Sequence, residues 1–333
     1  MVTLGDRSVV MPSVVYVGVD GTVVTGEVAE RRAVTSPERV ARQFKRRLGD
    51  PTPMRIGDAG YPATELLAMV LRDVLARVTE TEGEPPEQVV LTHPANWGPF
   101  RRGVFEEVPR LAGVPDALTI TEPEAAATHY AASRRLDTGA TLAVYDLGGG
   151  TFDATVVRKV ANGVETLGTP EGVERLGGID FDEALFEFVS YASNGGLDGL
   201  DMWDPKTVTA LTRLRQDCVL AKESLSVDSE TVLPVLLRDR QFDVRITREG
   251  FEDLIRAQLE STVTALSGAL RSAGVTADEL SAVLLVGGSS RIPLVAQMVS
   301  EELGRPILLD THPKYAVALG ADPMGQTSHC PGR

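Results

Sequence analysis

The stretch Leu142–Asp153, LAVYDLGGGTFD, decides how this chain is read. An apolar run ends at an acid, Asp146, crosses Gly148, Gly149 and Gly150, and resumes as a second β-rich run over Thr151–Val157. Glycines carry no Cβ, so the backbone N–H groups of such a run can close on a phosphate. An acid at a strand end can hold hydrated Mg²⁺ through water. A phosphate loop that opens a helix would be a Walker or dinucleotide element. Here the chain turns back into a strand, which points to a different class of ATP site.

Working outward, Val14–Val19 and Val23–Val28 read as strands joined by the Asp20-Gly21 turn. A helix is expected over Ala63–Val78, with Leu67, Val70, Leu71, Val74 and Val78 on one face. Gln88–Thr92 reads as a strand, and Phe100–Ala112 as a helix that Pro109 kinks or shortens. Ala117–Thr121 is a strand and Glu122–Ser133 an Ala-rich helix. After the glycine hairpin come a strand over Val164–Thr169, a Gly177-Gly178 turn, a helix over Ile179–Ala192 and a loop over Asn194–Leu200. Asp204-Pro205 starts a helix reaching about Leu225. Val232–Leu237 and Gln241–Ile246 pair as a hairpin, and Thr247 caps a long helix ending near Gly274. Thr276 and Glu279 form a capping box. Strand Ala282–Val286, Gly287-Gly288, helix Ile292–Leu303, strand Pro306–Leu309 and a helix near Tyr315–Leu319 complete the pattern. The polar tail after Ala321 is expected to be disordered. Such a mixture of βαβ units and hairpins indicates α/β lobes with inserted subdomains. A strand followed by Gly-Gly occurs at Val144–Gly149 and again at Leu284–Gly288, which reads as two lobes gripping one nucleotide.

The totals narrow the function classes. The 333 residues suffice for two domains, with 43% hydrophobic and 24% charged residues. A net charge of −14 argues against duplex nucleic acid as a main partner. Two cysteines, Cys218 and Cys330, make no disulfide or metal-ligand pattern, so a reducing, cytoplasmic compartment is expected. There is no membrane-length apolar run and no signal-peptide pattern at the N-terminus. His93, His129, His312 and His329 show no ligand spacing, and Trp97 and Trp203 read as packing residues.

Several segments in order carry a resemblance. They are GDRSVVMPSVV, AVTSPERVARQFKRRLG, LTHPANW, TITEPEAAATHY, YDLGGGTFD, LGGIDFDEAL, RLRQDCVLAKESLS and LLVGGSSRIPLV. Together they resemble the nucleotide-binding domain of the seventy-kilodalton heat-shock chaperones, the DnaK type, from about Asp6 to Gly320. The resemblance implies an actin-like ATPase fold of the actin and sugar-kinase superfamily. Two α/β lobes of ribonuclease-H-like architecture, with inserted subdomains, would flank a central nucleotide cleft. Residues 1–138 would form the first lobe, 139–320 the second with an insertion over about 180–280, and 321–333 the tail.

It also implies roles by position. Gly148, Gly149, Gly150 and Thr151 would line the β/γ-phosphates, with Gly177 and Gly178 beside them. Asp146 would hold Mg²⁺ through water, while Asp153 and Glu122 order the metal waters and the attacking water. AVTSPERVARQFKRRLG resembles the family's phosphate-side lysine helix, on which Lys45 would contact the γ-phosphate and the nucleophilic water, and Pro94 and Arg102 would relay nucleotide state. Lys222 and Ser226 would reach the ribose and adenine, opposite a wall made by Gly287, Gly288, Ser289, Arg291 and Ile292. Read alone, Lys45 and Lys222 are surface lysines, Glu122 is a helix-start acid, and Asp153 is an inward acid that is costly unless used.

The sequence also departs from the family pattern. The family's opening strand–Asp-x-Gly-Thr-Thr–strand hairpin precedes the segment matched at Asp6 and is not within these residues, so a truncated product is expected. VGVDGT at Val17–Thr22 reads as an ordinary hairpin turn, not a substitute. Val219 stands where an acid would bond the ribose, Glu223 where an arginine would stack on adenine, and Lys314 and Tyr315 where an acidic pair would lie. The leading expectation is an ATP-binding, ATP-hydrolysing domain of a heat-shock-type chaperone in protein folding and the stress response. Its implied cofactors are ATP, ADP and Mg²⁺. Its implied partners are unfolded clients, a J-domain protein and a nucleotide exchange factor, with neither nucleic acid nor membrane. The alternative is a nucleotide-sensing scaffold with little or no turnover. A filament-forming relative of actin and a small-molecule kinase rank below both.

Overall fold

The computed structural model describes residues 2–4, 8–134, 136–161, 163–193, 195, 197, 199–201, 203–237, 240–309 and 315–321. Asp6, His312, Lys314, His329, Cys330 and the expected disordered tail lie outside them, as does part of the expected 194–200 loop. The chain divides into two compact units, one drawn from Met1–His93 and Trp97–Ile120, the other from Pro94–Asn96 and Thr121–Arg333.

In the first unit, β1 (Val15–Val17) pairs antiparallel with β2 (Val23–Thr25) across the Asp20-Gly21 loop. The Thr22 hydroxyl and N–H hold the Asp20 carboxyl below its ordinary range. The expected second strand stops at Thr25, and α1 (Gly26–Ala33) succeeds it. Gly26 has a φ of +67° and turns the chain out of the sheet. The residues after it favour helix, with Ala29 and Ala33 four apart on its buried side. β3 (Val40–Ala41) pairs with the other edge of β1.

The stretch AVTSPERVARQFKRRLG is not the α-helix that the resemblance implied. It forms β3 and two 3-10 turns, Pro37–Arg39 and Phe44–Arg47. Pro37 cannot donate, and Gln43 sits at φ 58°, a left-handed conformation that no right-handed helix passes through. The hairpin β4 (Met54–Ile56) with β5 (Ala59–Tyr61) leads into α2 (Ala63–Glu82), which ends at Gly83. β6 (Val90–His93) pairs with β7 (Leu118–Thr121). Between them the expected single helix is two, α3 (Pro99–Phe105) and α4 (Glu107–Ala112). Pro109 cannot donate to the Phe105 carbonyl, and its ring crowds that carbonyl. Phe44, Leu48, Ile56, Leu66, Trp97 and Phe105 fill this unit's core.

The second unit begins with α5 (Glu122–Arg134). The chain then makes β8 (Thr141–Leu147), β9 (Phe152–Val160) and β10 (Gly163–Val173) as an antiparallel meander. Helices α6 (Gly178–Ala192) and α7 (Pro205–Leu225), the hairpin β11 (Glu230–Leu236) with β12 (Gln241–Thr247), and α8 (Arg248–Ala273) come next. β13 (Ala282–Val286), α9 (Pro293–Leu303), β14 (Ile307–Leu309) and α10 (Ala316–Gly320) complete it. The sheet order is β10-β9-β8-β13-β14, with β8, β13 and β14 parallel.

Both faces of this sheet are covered, which explains the unbroken apolar run of β8. Ala143, Tyr145 and Leu147 pack with α6, α8 and α9, whereas Leu142 and Val144 pack with α5 and α10. The Tyr145 hydroxyl lies 2.5 Å from Thr262 Oγ1 and joins β8 to α8. The two Gly-Gly echoes do not mark two lobes. β8 and β13 are parallel neighbours, with Val286 opposite Asp146, so both glycine bends leave the same end of one sheet. Trp97 is buried as expected, but Trp203 is 94% exposed. It precedes the Asp204 cap of α7 and contributes no packing. Among the described residues no helix is long and apolar enough to cross a membrane.

Candidate functional site

Three glycine bends meet at the carboxyl end of β8 and β13, the end of an α/β sheet where ligands bind. The Gly148 carbonyl accepts from the Gly178 N–H at 3.1 Å and from Ser289 Oγ at 2.9 Å. The Gly149 carbonyl accepts from the Ile179 N–H at 2.8 Å. The loop thus caps the first turn of α6 with its own carbonyls. A trans peptide points its N–H opposite its C=O. Fixing these two carbonyls therefore turns the N–H groups of Gly149 and Gly150 away from α6, as a loop that receives an anion requires.

The glycines are demanded by close approach. A Cβ on Gly177 would lie 2.7 Å from Gly150 N, and one on Gly178 would lie 2.7 Å from Ser289 Oγ and 2.9 Å from Lys222 Nζ. Gly287 has a φ of +83°, and a Cβ there would lie 2.3 Å from the Leu147 carbonyl oxygen. The 3-10 turn Gly288–Arg291 comes next, with Ser290 Oγ tied to the Val286 carbonyl at 2.5 Å. Ser289 and Ile292 are buried, and Arg291 is exposed.

Asp146 and Asp153 are direct cross-strand partners, and Asp153 is 3% exposed. Two carboxylates facing each other repel, so the donor set suits a cation. Among the described residues no cluster of three or more His, Cys, Asp or Glu forms a protein cage. One or two carboxylates plus water and phosphate is how Mg²⁺ is usually held. These residues therefore fit a hydrated Mg²⁺.

Thr151 links β8 to β9 beside this pair. Gly172 pairs with Asp153 across β9–β10, and a Cβ on it would lie 2.3 Å from Asn96 Nδ2 and 2.9 Å from Asp153 Oδ1. Asn96 and Asp153 thus both approach Gly172, and Pro94 belongs to the same short segment as Asn96. Glu122 opens α5, where Thr121 and Glu124 bond reciprocally, with Thr121 Oγ1 2.7 Å from Glu124 Oε2.

On α7, Lys222 donates to the Gly178 carbonyl at 3.0 Å and pairs with Asp182 at 2.7 Å. It is no surface lysine, since its side chain is 13% exposed. Ser226 Oγ donates to the Lys222 carbonyl at 3.4 Å. Val219 and Glu223 are both exposed, and the Glu223 charge bears on Asp182.

Lys45 and Arg102 belong to the first unit. Lys45 Nζ lies 5.9 Å from the Trp97 ring centroid, in a group where Trp97 stacks on His93 and meets Phe105 edge-on. Sequence reading missed Asn96, Asp182 and the Thr121–Glu124 box. Only the last had a readable signal, the T-x-x-E spacing.

Residues 52–327 match the family model described as Hsp70 protein. The chain belongs to the Hsp70 family. It therefore contains an Hsp70-type nucleotide-binding domain with the actin-like ATPase fold, and the mixed five-stranded sheet agrees with that fold. Hsp70 proteins bind ATP and ADP, are ATPases in general, and interact with clients or co-chaperones. The matched span includes every residue discussed above as a site candidate except Lys45.

Proposed function

We propose that this chain binds Mg·ATP at the joined glycine bends and hydrolyses it to drive a chaperone cycle. The observation that carries the proposal is the Ser289 Oγ bond to the Gly148 carbonyl, 2.9 Å long, which ties the β13 bend to the β8 loop beside α6. Phosphoryl transfer to water asks for positioning and charge neutralisation more than covalent help. Gly148, Gly149, Gly150 and Thr151 line the phosphates, with the Gly149 N–H turned toward them, while the Gly148 N–H is kept by the Thr151 carbonyl at 3.0 Å. Asp146, with Asp153 opposite it, would hold Mg²⁺ through water, and bound Mg²⁺ supplies charge neutralisation at the phosphate oxygens. Asp153 and Glu122 orient water, and the γ-phosphate contact of Lys45 is what the family resemblance implies. Ser226 and Lys222 meet the nucleoside, with Ser289, Arg291 and Ile292 on its other side.

Turnover would signal, with Pro94 and Arg102 as the relay, to unfolded clients, a J-domain protein and an exchange factor in the cytoplasm. Single-turnover hydrolysis of radiolabelled ATP tests the enzyme reading. We expect measurable turnover that falls about a hundredfold in Asp146→Asn, the loss typical of a group that orders a metal's shell. ATP that is bound and left intact would instead identify the scaffold.

A further inference from the structure

A deeply set charge pair near the glycine bends involves a residue with no assigned role. Asp182 lies one turn into α6 and meets Lys222 of α7 at 2.7 Å, with the two side chains 17% and 13% exposed. Burial pushes the Asp182 carboxyl above its ordinary range, outweighing the pull of Lys222, while Glu223 and Asp180 push the same way. A pair this secluded contributes little net stability, because desolvation offsets the attraction. Its consequence is positional. The ammonium is fixed by Asp182 on one side and by the Gly178 carbonyl, 3.0 Å away, on the other.

An ammonium has three N–H donors; among the described residues one goes to the Gly178 carbonyl and the ion pair with Asp182 takes at most one more, so at least one remains. The same ammonium and Ser289 Oγ both approach the Cα-side space of Gly178, at 2.9 and 2.7 Å from the place a Cβ would take. Resting on the nucleotide-site reading above, we infer that Asp182 is a positioning residue. It holds the Lys222 ammonium so that its remaining N–H meets a nucleoside hydroxyl, and it adds recognition of the nucleoside without acting on the phosphates.

The test compares ATP with inorganic tripolyphosphate, each titrated with Mg²⁺ into the full chain by calorimetry. Asp182→Asn keeps the side-chain shape and an acceptor oxygen, so the fold survives while the charge is lost. It is expected to weaken ATP about tenfold, the scale of one hydrogen bond from a charged donor, and to leave tripolyphosphate within about twofold. Lys222→Met is expected to show the same split, and the double variant to lose no more than either alone. The inference is overturned if Asp182→Asn binds ATP like the wild type, if both ligands weaken together, or if the two losses multiply. Wild-type protein that takes up neither ligand overturns the nucleotide-site reading itself, and this inference with it.

Discussion

Gly287 shows how much can rest on one missing methyl group. It needs a positive φ, and its Cα lies against the Leu147 carbonyl where β8 meets β13. Gly287→Ala is expected to cost about 3 kcal/mol, from backbone strain plus a contact that only movement of the β8 end relieves. Urea unfolding measures it, and a change under about 0.5 kcal/mol would contradict the packing described. The glycines were legible in the sequence because Gly-rich bends after apolar strands have few other uses. Asp182 was not, since pairing it with Lys222 requires α6 and α7 to lie side by side, forty residues apart in the chain. Trp203 misled for the opposite reason. Its size argued for packing, but a tryptophan is buried only where surrounding elements meet over it, and none does so ahead of the Asp204 cap.

Elements with strong end signals were readable, and those without were not. Asp204 accepts from the Lys206 N–H, Thr247 accepts from the Gly250 N–H, and Thr276 exchanges bonds with Glu279, all as their spacing foretold. Thr247→Ala is expected to cost about 1 kcal/mol. Because α8 packs on β9 and β10, the loss should appear in global unfolding by circular dichroism and not as fraying alone. An unchanged midpoint would show that the cap is dispensable. Errors gathered in short elements of the first unit. α1, β3 and the 3-10 turn carrying Lys45 are too short for periodicity to decide, and tertiary packing of Ala29, Ala33 and Phe44 sets them instead.

For the molecule as a whole, the order of motifs along the chain carried more than any one of them, and it pointed to the family that residues 52–327 match. Sheet order was hidden. The pairing of β8 with β13 joins strands some 140 residues apart, and the echo of Gly-Gly bends was read as two lobes because sequence holds no record of which strands are neighbours. That pairing is what puts Ser289 on Gly148 and makes the site a single structure within the second unit. The most direct test is a calorimetric titration of Mg·ATP into the full chain, beside Gly178→Ala, whose added methyl would lie against Ser289 Oγ and Lys222 Nζ. Saturable uptake of one nucleotide per chain is expected of the wild type, with the affinity largely lost in the variant. No heat of binding from the wild type at millimolar nucleotide, or equal binding by both proteins, would contradict a nucleotide site built on the joined bends.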